Sequence, residues 1–279
     1  MLNPASLETP TDPDPTDGLV GDDPLSLPLP FRGEDLRDDE VLATRIHAGG
    51  GLAHDFSGWR WYPGTTAWFN RPVNHLGSTD PNHFIAQGLP VYAAADGEIV
   101  ACWRMFPDNP DTDVDQLDDN LHRMVGGGNQ VYIRTADDQF IFYGHLKSMS
   151  IPQSLCPLSS PDGWLQHTPL HISLQFEDEM LVEPPIPVHE GQLIGRVGNT
   201  GTAQPHLHIH AGPLAEDEFG NIARVRASPI EFTGGVTGDW SPAQHQVDIA
   251  SIEWQSLDDD RINPRIDAAG GDMLAILPD

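Results

Sequence analysis

The run Pro205-His206-Leu207-His208-Ile209-His210 constrains the fold more than any other segment of this chain. Three histidines alternate with two aliphatic residues. A period of two belongs to a β-strand, whose successive side chains project to opposite faces. Leu207 and Ile209 then face a core, and His206, His208 and His210 form a row of imidazoles on the other face. Histidine is the commonest metal ligand and titrates near neutral pH. A solvated strand face would also tolerate histidines. Three of them, directly after the loop Gly195-Arg196-Val197-Gly198-Asn199-Thr200-Gly201, point instead to a metal or catalytic site.

The rest of the chain reads in the same way. With 27 Gly and 26 Pro in 279 residues, frequent turns are expected and long helices are not. Strands are expected at Pro90–Ala95, Gly97–Trp103, Gln130–Thr135, Gln139–His145, Gln192–Val197 and His206–Ala211, with a hairpin turn at 135–139. Residues 1–40, rich in Pro and Asp, read as a disordered acidic tail. A mainly β domain is expected over 41–235, followed by a C-terminal extension, 236–279, with two weak strand candidates. Two long loops interrupt the domain. Residues 107–127 are acidic (Asp108, Asp111, Asp113, Asp115, Asp118, Asp119), but their spacing is not that of an EF-hand. Residues 152–187 are rich in Pro and Ser and carry Trp164.

Acidic residues outnumber basic ones by 42 to 14, and Lys147 is the only lysine. A formal charge of −28 repels phosphates, which argues against nucleic acid and anionic lipid as partners. No apolar run is long enough for a transmembrane helix. The N-terminus shows no basic region followed by an apolar core, so no secretory signal is expected in this chain. Cys102 and Cys156 allow one intrachain disulfide, and no CxxC pair offers a thiolate metal site.

Zinc hydrolases use about three protein ligands and leave one position open. His208 is the natural ligand of the histidine row. His206, one strand step away, stands near the metal but is free to move protons. His145 ends the apolar strand Phe142-Tyr143-Gly144-His145-Leu146 and can reach the same face from a neighbouring strand.

Several segments, in this order, resemble the lysostaphin-type (LytM-type) zinc metallopeptidases. They are Gly88-Leu89-Pro90-Val91 onward to Val100, Gly128-Asn129-Gln130-Val131-Tyr132-Ile133, Tyr143-Gly144-His145-Leu146, Gly191–Gly201 and Pro205-His206-Leu207-His208. The resemblance covers about residues 88–213. It implies a compact antiparallel β fold, the duplicated hybrid motif, around a narrow groove. It also implies one zinc ion held by His, Asp and His, cleavage of peptide bonds in bacterial peptidoglycan cross-links, and an extracytoplasmic location. By motif position His208 is the last zinc ligand, and His206 and His145 are the catalytic histidines.

The chain departs from that family's pattern upstream. Where His-x-Gly-x-Asp would stand, the two key positions hold Ser78 and Asn82. Two other pairs remain, His47 with Asp55 and His75 with Asp80. Asp55-Phe56 opens an aromatic-rich segment, whereas Asp80-Pro81 has turn composition. His47, Asp55 and His208 are therefore the expected zinc ligands, with His75 and Asp80 as the alternative pair. His54 is set aside, because neighbours on a strand point oppositely. His210 is expected beside the ligands or facing solvent. The expected function is zinc endopeptidase. The irregular upstream motif keeps open a module of the same fold acting in binding or regulation. A zinc hydrolase for other substrates is a third reading.

Overall fold

Short runs of β-branched, aliphatic and aromatic residues, bounded by Gly, Pro, Asn and Asp, favour strands over helices throughout. The computed structural model describes residues 24–46, 52–108, 127–157, 181–216, 222–225, 227–239, 249–258 and 274–279. The first strands are β1 (Leu25–Pro28), β2 (Glu40–Ile46), β3 (His54–Tyr62), β4 (Ala67–Phe69), β5 (Pro90–Tyr92) and β6 (Gly97–Trp103). Next come β7 (Asn129–Arg134), β8 (Phe140–Leu146), β9 (Leu181–Val188), β10 (Leu193–Arg196), β11 (Leu207–Gly212) and β12 (Leu214–Glu216). The last are β13 (Ile222–Val225), β14 (Ile230–Thr233), β15 (Gly235–Asp239), β16 (Trp254–Ser256) and β17 (Leu274–Pro278). Helical structure among the described residues is confined to single 3-10 turns, such as Val73–His75 and Pro81–His83.

Eleven strands form one sheet in the order β16-β15-β17-β2-β3-β11-β8-β7-β6-β9, with β4 attached to β3. All of its pairings are antiparallel. β5 pairs with β10, β12 with β13, and β1 runs parallel to β14. The protein is therefore mainly β, with a dominant antiparallel sheet. Its largest core lies against one face and includes Phe56, Ile133, Tyr143, Leu207, Ile209 and Phe232. A second, smaller core of Val41, Ala43, Trp61, Trp68 and Ile252 covers part of the other.

Two boundaries differ from the sequence reading. Residues 24–40, assigned by composition to a tail, contain β1, and Leu27, Leu29 and Phe31 are buried in the main core. Three apolar side chains at alternate positions outweigh the surrounding Pro and Asp. Residues 181–187, the end of the segment 152–187 read as a Pro- and Ser-rich loop, belong to β9. That strand ends the sheet, where one row of backbone groups needs no partner and proline is tolerated. Beyond residue 235, β15 and β17 continue the main sheet past β2. The hairpin turn at 135–139 forms as expected, with Gln139 and Thr135 paired through Thr135 N to Gln139 O at 2.9 Å.

Cys102 and Cys156, both fully buried, form a disulfide across a sequence separation of 54. No helix among the described residues is long and apolar enough to cross a membrane.

Candidate metal and catalytic site

β11 lies between β3 and β8, and this places the site. Its burial alternates as the sequence requires: Leu207 and Ile209 are fully buried, while His206, His208 and His210 are half-buried. On β3 the register sets Asp55 opposite His208, Phe56 opposite Leu207 and His54 opposite Ile209. Directly paired residues share a face. Asp55 therefore joins the imidazole row, and its Oδ1 lies 3.1 Å from His208 Nδ1 and 3.6 Å from His206 Nε2. His54 points the other way and packs against Phe56 and Phe232, with ring centroids at 6.3 and 5.0 Å.

His145 reaches the row by breaking alternation. Tyr143, two residues earlier on β8, is fully buried in the main core and accepts a hydrogen bond from Ala94 N. Regular extended backbone would send His145 the same way. Its φ is +60° instead, in the left-handed region, which costs a non-glycine residue about 1–3 kcal/mol. The ring now sits 4.6 Å from His206 and 5.9 Å from His208, centroid to centroid. Its backbone is clamped on both sides: His145 N donates to Gly127 O at 2.7 Å, and Gly198 N donates to His145 O at 3.0 Å.

Two carbonyls orient the catalytic candidates. His145 Nδ1 donates to Thr200 O and His206 Nδ1 to Gln204 O, both at 2.8 Å. A carbonyl only accepts, so each neutral ring holds its proton on Nδ1 and keeps a lone pair on Nε2. Burial pushes the His145 pKa well below the ordinary value, aided by His206 and His208 and opposed by Thr200 O and Asp55. His145 is thus neutral at physiological pH. His208 donates Nδ1–H to Asp55, and its Nε2 lies 3.1 Å from His210 Nδ1. His210 also packs against Phe142, with ring centroids 4.7 Å apart and the planes tilted by 32°.

Asp55 and His208 carry oxygen and nitrogen donors of the kinds that zinc takes, and they stand at hydrogen-bonding distance, 3.1 Å between Oδ1 and Nδ1. Among the described residues, no group of three His, Cys, Asp or Glu side chains converges on a metal position. His47 lies outside the described residues.

The alternative pair has local partners. Asp80 accepts from Asn82 N and Asn82 Nδ2, both at 2.9 Å, and caps the turn Pro81–His83. Those bonds hold its carboxyl below the usual range. His75 stacks on His83 at 3.7 Å. Asn74 lies in the turn Val73–His75. Of the acidic loop, Asp108 accepts from Ser148 N at 2.9 Å. Asp111, Asp113, Asp115, Asp118, Asp119 and Trp164 lie outside the described residues.

Sequence reasoning passed over Arg45, Thr200 and Asn129. Arg45 pairs with Asp55 in register, its Nε 3.8 Å from Oδ2. The signal for all three is strand register and loop path, which residue spacing does not carry.

No family model matches the chain, and no curated protein does. Among solved structures it is similar to the catalytic domain of the antimicrobial peptidase lysostaphin from Staphylococcus simulans, at 18% identity. That match covers 63% of this chain and 76% of that one, with a TM-score of 0.29. It is also similar to a zinc-containing peptidase from Vibrio cholerae at 16% identity, over 65% of this chain and 36% of that one, TM-score 0.29. A solution structure of lysostaphin matches at 14% identity, over 84% and 82% of the two chains, TM-score 0.28.

Proposed function

We propose that this protein is a zinc endopeptidase that hydrolyses peptide bonds, with bacterial peptidoglycan cross-links as its substrate. The observation that carries this reading is the gathering of Asp55, His145, His206 and His208 on one sheet face. Asp55 and His208 serve as ligands. His47 is the proposed third, two residues after Arg45, whose side chain already lies beside Asp55. When bound, zinc supplies Lewis acidity at the scissile carbonyl and a water acidified to near neutral pH. His206 and His145 would present their Nε2 lone pairs toward a substrate water; one would take a proton from it and pass that proton to the departing amine, and a ring N–H would stabilise the oxyanion. The buried disulfide supports an oxidising, extracytoplasmic compartment.

A second reading is a non-catalytic binding module of the same fold. The observation in its favour is that both ring nitrogens of His208 are already engaged, by Asp55 and by His210. The discriminating assay uses zinc-loaded protein on purified peptidoglycan and on unrelated peptides, with His206→Ala and His145→Ala alongside. Release of new amino termini from peptidoglycan, lost in both variants, is the expected result. Cleavage of unrelated peptides alone would redirect the substrate, and cleavage of neither would favour the binding module. The charge of −28 opposes an anionic wall, so activity should rise with moderate salt as repulsion is screened.

A further inference from the structure

We propose that Thr200, braced by Asn129, is the positioning residue that fixes the ring and tautomer of His145. This role rests on the peptidase reading above. Thr200 and Asn129 are both fully buried. The Thr200 carbonyl takes the His145 Nδ1 proton at 2.8 Å. Its hydroxyl is fixed in turn: Oγ1 accepts from Asn129 N and donates to Leu146 O, both at 2.8 Å. Leu146 follows His145 directly, so Thr200 grips the backbone beside the histidine with one group and the ring with another.

Asn129 spends its own side chain on the same corner. Its Nδ2 donates to Phe106 O at 2.8 Å and to Leu146 O at 3.2 Å, and its Oδ1 accepts from Phe106 N at 2.7 Å. The position just before Asn129 requires glycine. Gly128 has φ +59°, and a Cβ there would collide with Thr200 O and Thr200 Oγ1. The chain before β7 thus presses directly on the carbonyl that orients His145. This brace holds the ring in a backbone conformation it would otherwise leave, since left-handed φ at histidine persists only where the surroundings over-determine it. With Nδ1 protonated, Nε2 is the lone-pair nitrogen available to a substrate water. The opposite tautomer would present an N–H there and could not accept a proton.

The test is imidazole NMR on the full-length, 15N-labelled protein, with His145 assigned through His145→Gln. Wild type, Thr200→Ser and Thr200→Val are compared, with kcat, KM and zinc content measured on the same samples. In wild type and in Thr200→Ser, which keeps the hydroxyl, His145 should be neutral with its proton on Nδ1. Thr200→Val should lose that single tautomer. Its kcat should fall about 10–100-fold, the usual effect of removing a supporting hydrogen bond, while KM and zinc content stay as in wild type. A wild-type His145 protonated on Nε2 overturns the proposal, and that spectrum decides the matter even if Thr200→Val cannot be purified. Thr200→Val with an unchanged tautomer overturns it too, whatever its kcat. If wild type cleaves nothing, the peptidase reading fails, while the His145 tautomer in wild type and Thr200→Val still judges the brace.

Discussion

His54 and His208 sit on paired strands, yet face opposite sides of the sheet. His54 is packed between Phe56 and Phe232, and burial lowers its pKa from 6.5 to about 4. His208 faces Asp55 and His210 among polar neighbours. One residue of offset along β3 separates a histidine that behaves as a core aromatic from a carboxylate in a candidate metal site. What decides the role of each side chain is the face it occupies, not its type. The core face should carry stability and the imidazole face should carry chemistry.

The largest effect expected on the core face is that of Phe56→Ala. Phe56 is fully buried against Phe31, His54 and Phe232, and its truncation should cost about 3–5 kcal/mol in a denaturant titration. His206→Ala, on the other face, should leave the denaturation midpoint nearly unchanged while abolishing activity. Equal losses of stability in the two variants would erase the distinction. Reduction of the Cys102–Cys156 disulfide, which belongs to the core cluster, comes next. For a separation of 54 residues, chain entropy assigns it about 4 kcal/mol, read as a lower urea midpoint under reducing conditions.

Acid should then expose His54. Its folded pKa of about 4 lies below the 6.5 of the unfolded chain, so the unfolded state takes up the proton first as pH falls. The stability in question is whole above pH 6.5 and is lost between 6.5 and about 4, amounting to about 3 kcal/mol. His54→Phe should flatten that part of the stability–pH curve and leave zinc content alone. An unchanged curve would mean that another group governs the acid limb. The smallest effect belongs to Arg45→Ala. More than half of that side chain is exposed, so its ion pair with Asp55 is worth less than about 1 kcal/mol in thermal unfolding.

Period-two alternation made several strands legible before any coordinates. Gly97–Trp103 is β6 residue for residue, and the alternation at 206–210 separates Leu207 and Ile209 from the histidine row. Proline misled at 184–187, because composition does not reveal that a strand will lie at the edge of a sheet. Asp55 could be named from its aromatic neighbours, but its place opposite His208 is a matter of register between residues 153 positions apart. The left-handed turn at His145 was invisible in the sequence, because regular alternation would send that ring into the core. Thr200 and Asn129 escaped notice because their hydrogen-bond partners are backbone groups and a ring that only the folded loops bring beside them.

The most direct test of the central claim is zinc stoichiometry by elemental analysis on the purified full chain, reconstituted with zinc and then dialysed. Wild type, His208→Ala, Asp55→Ala, His47→Ala and Asp80→Ala are measured together. About one zinc per wild-type chain is expected, lost in the first three variants and retained in Asp80→Ala. A wild type that holds no zinc after reconstitution, or zinc that survives both His208→Ala and Asp55→Ala, would contradict it.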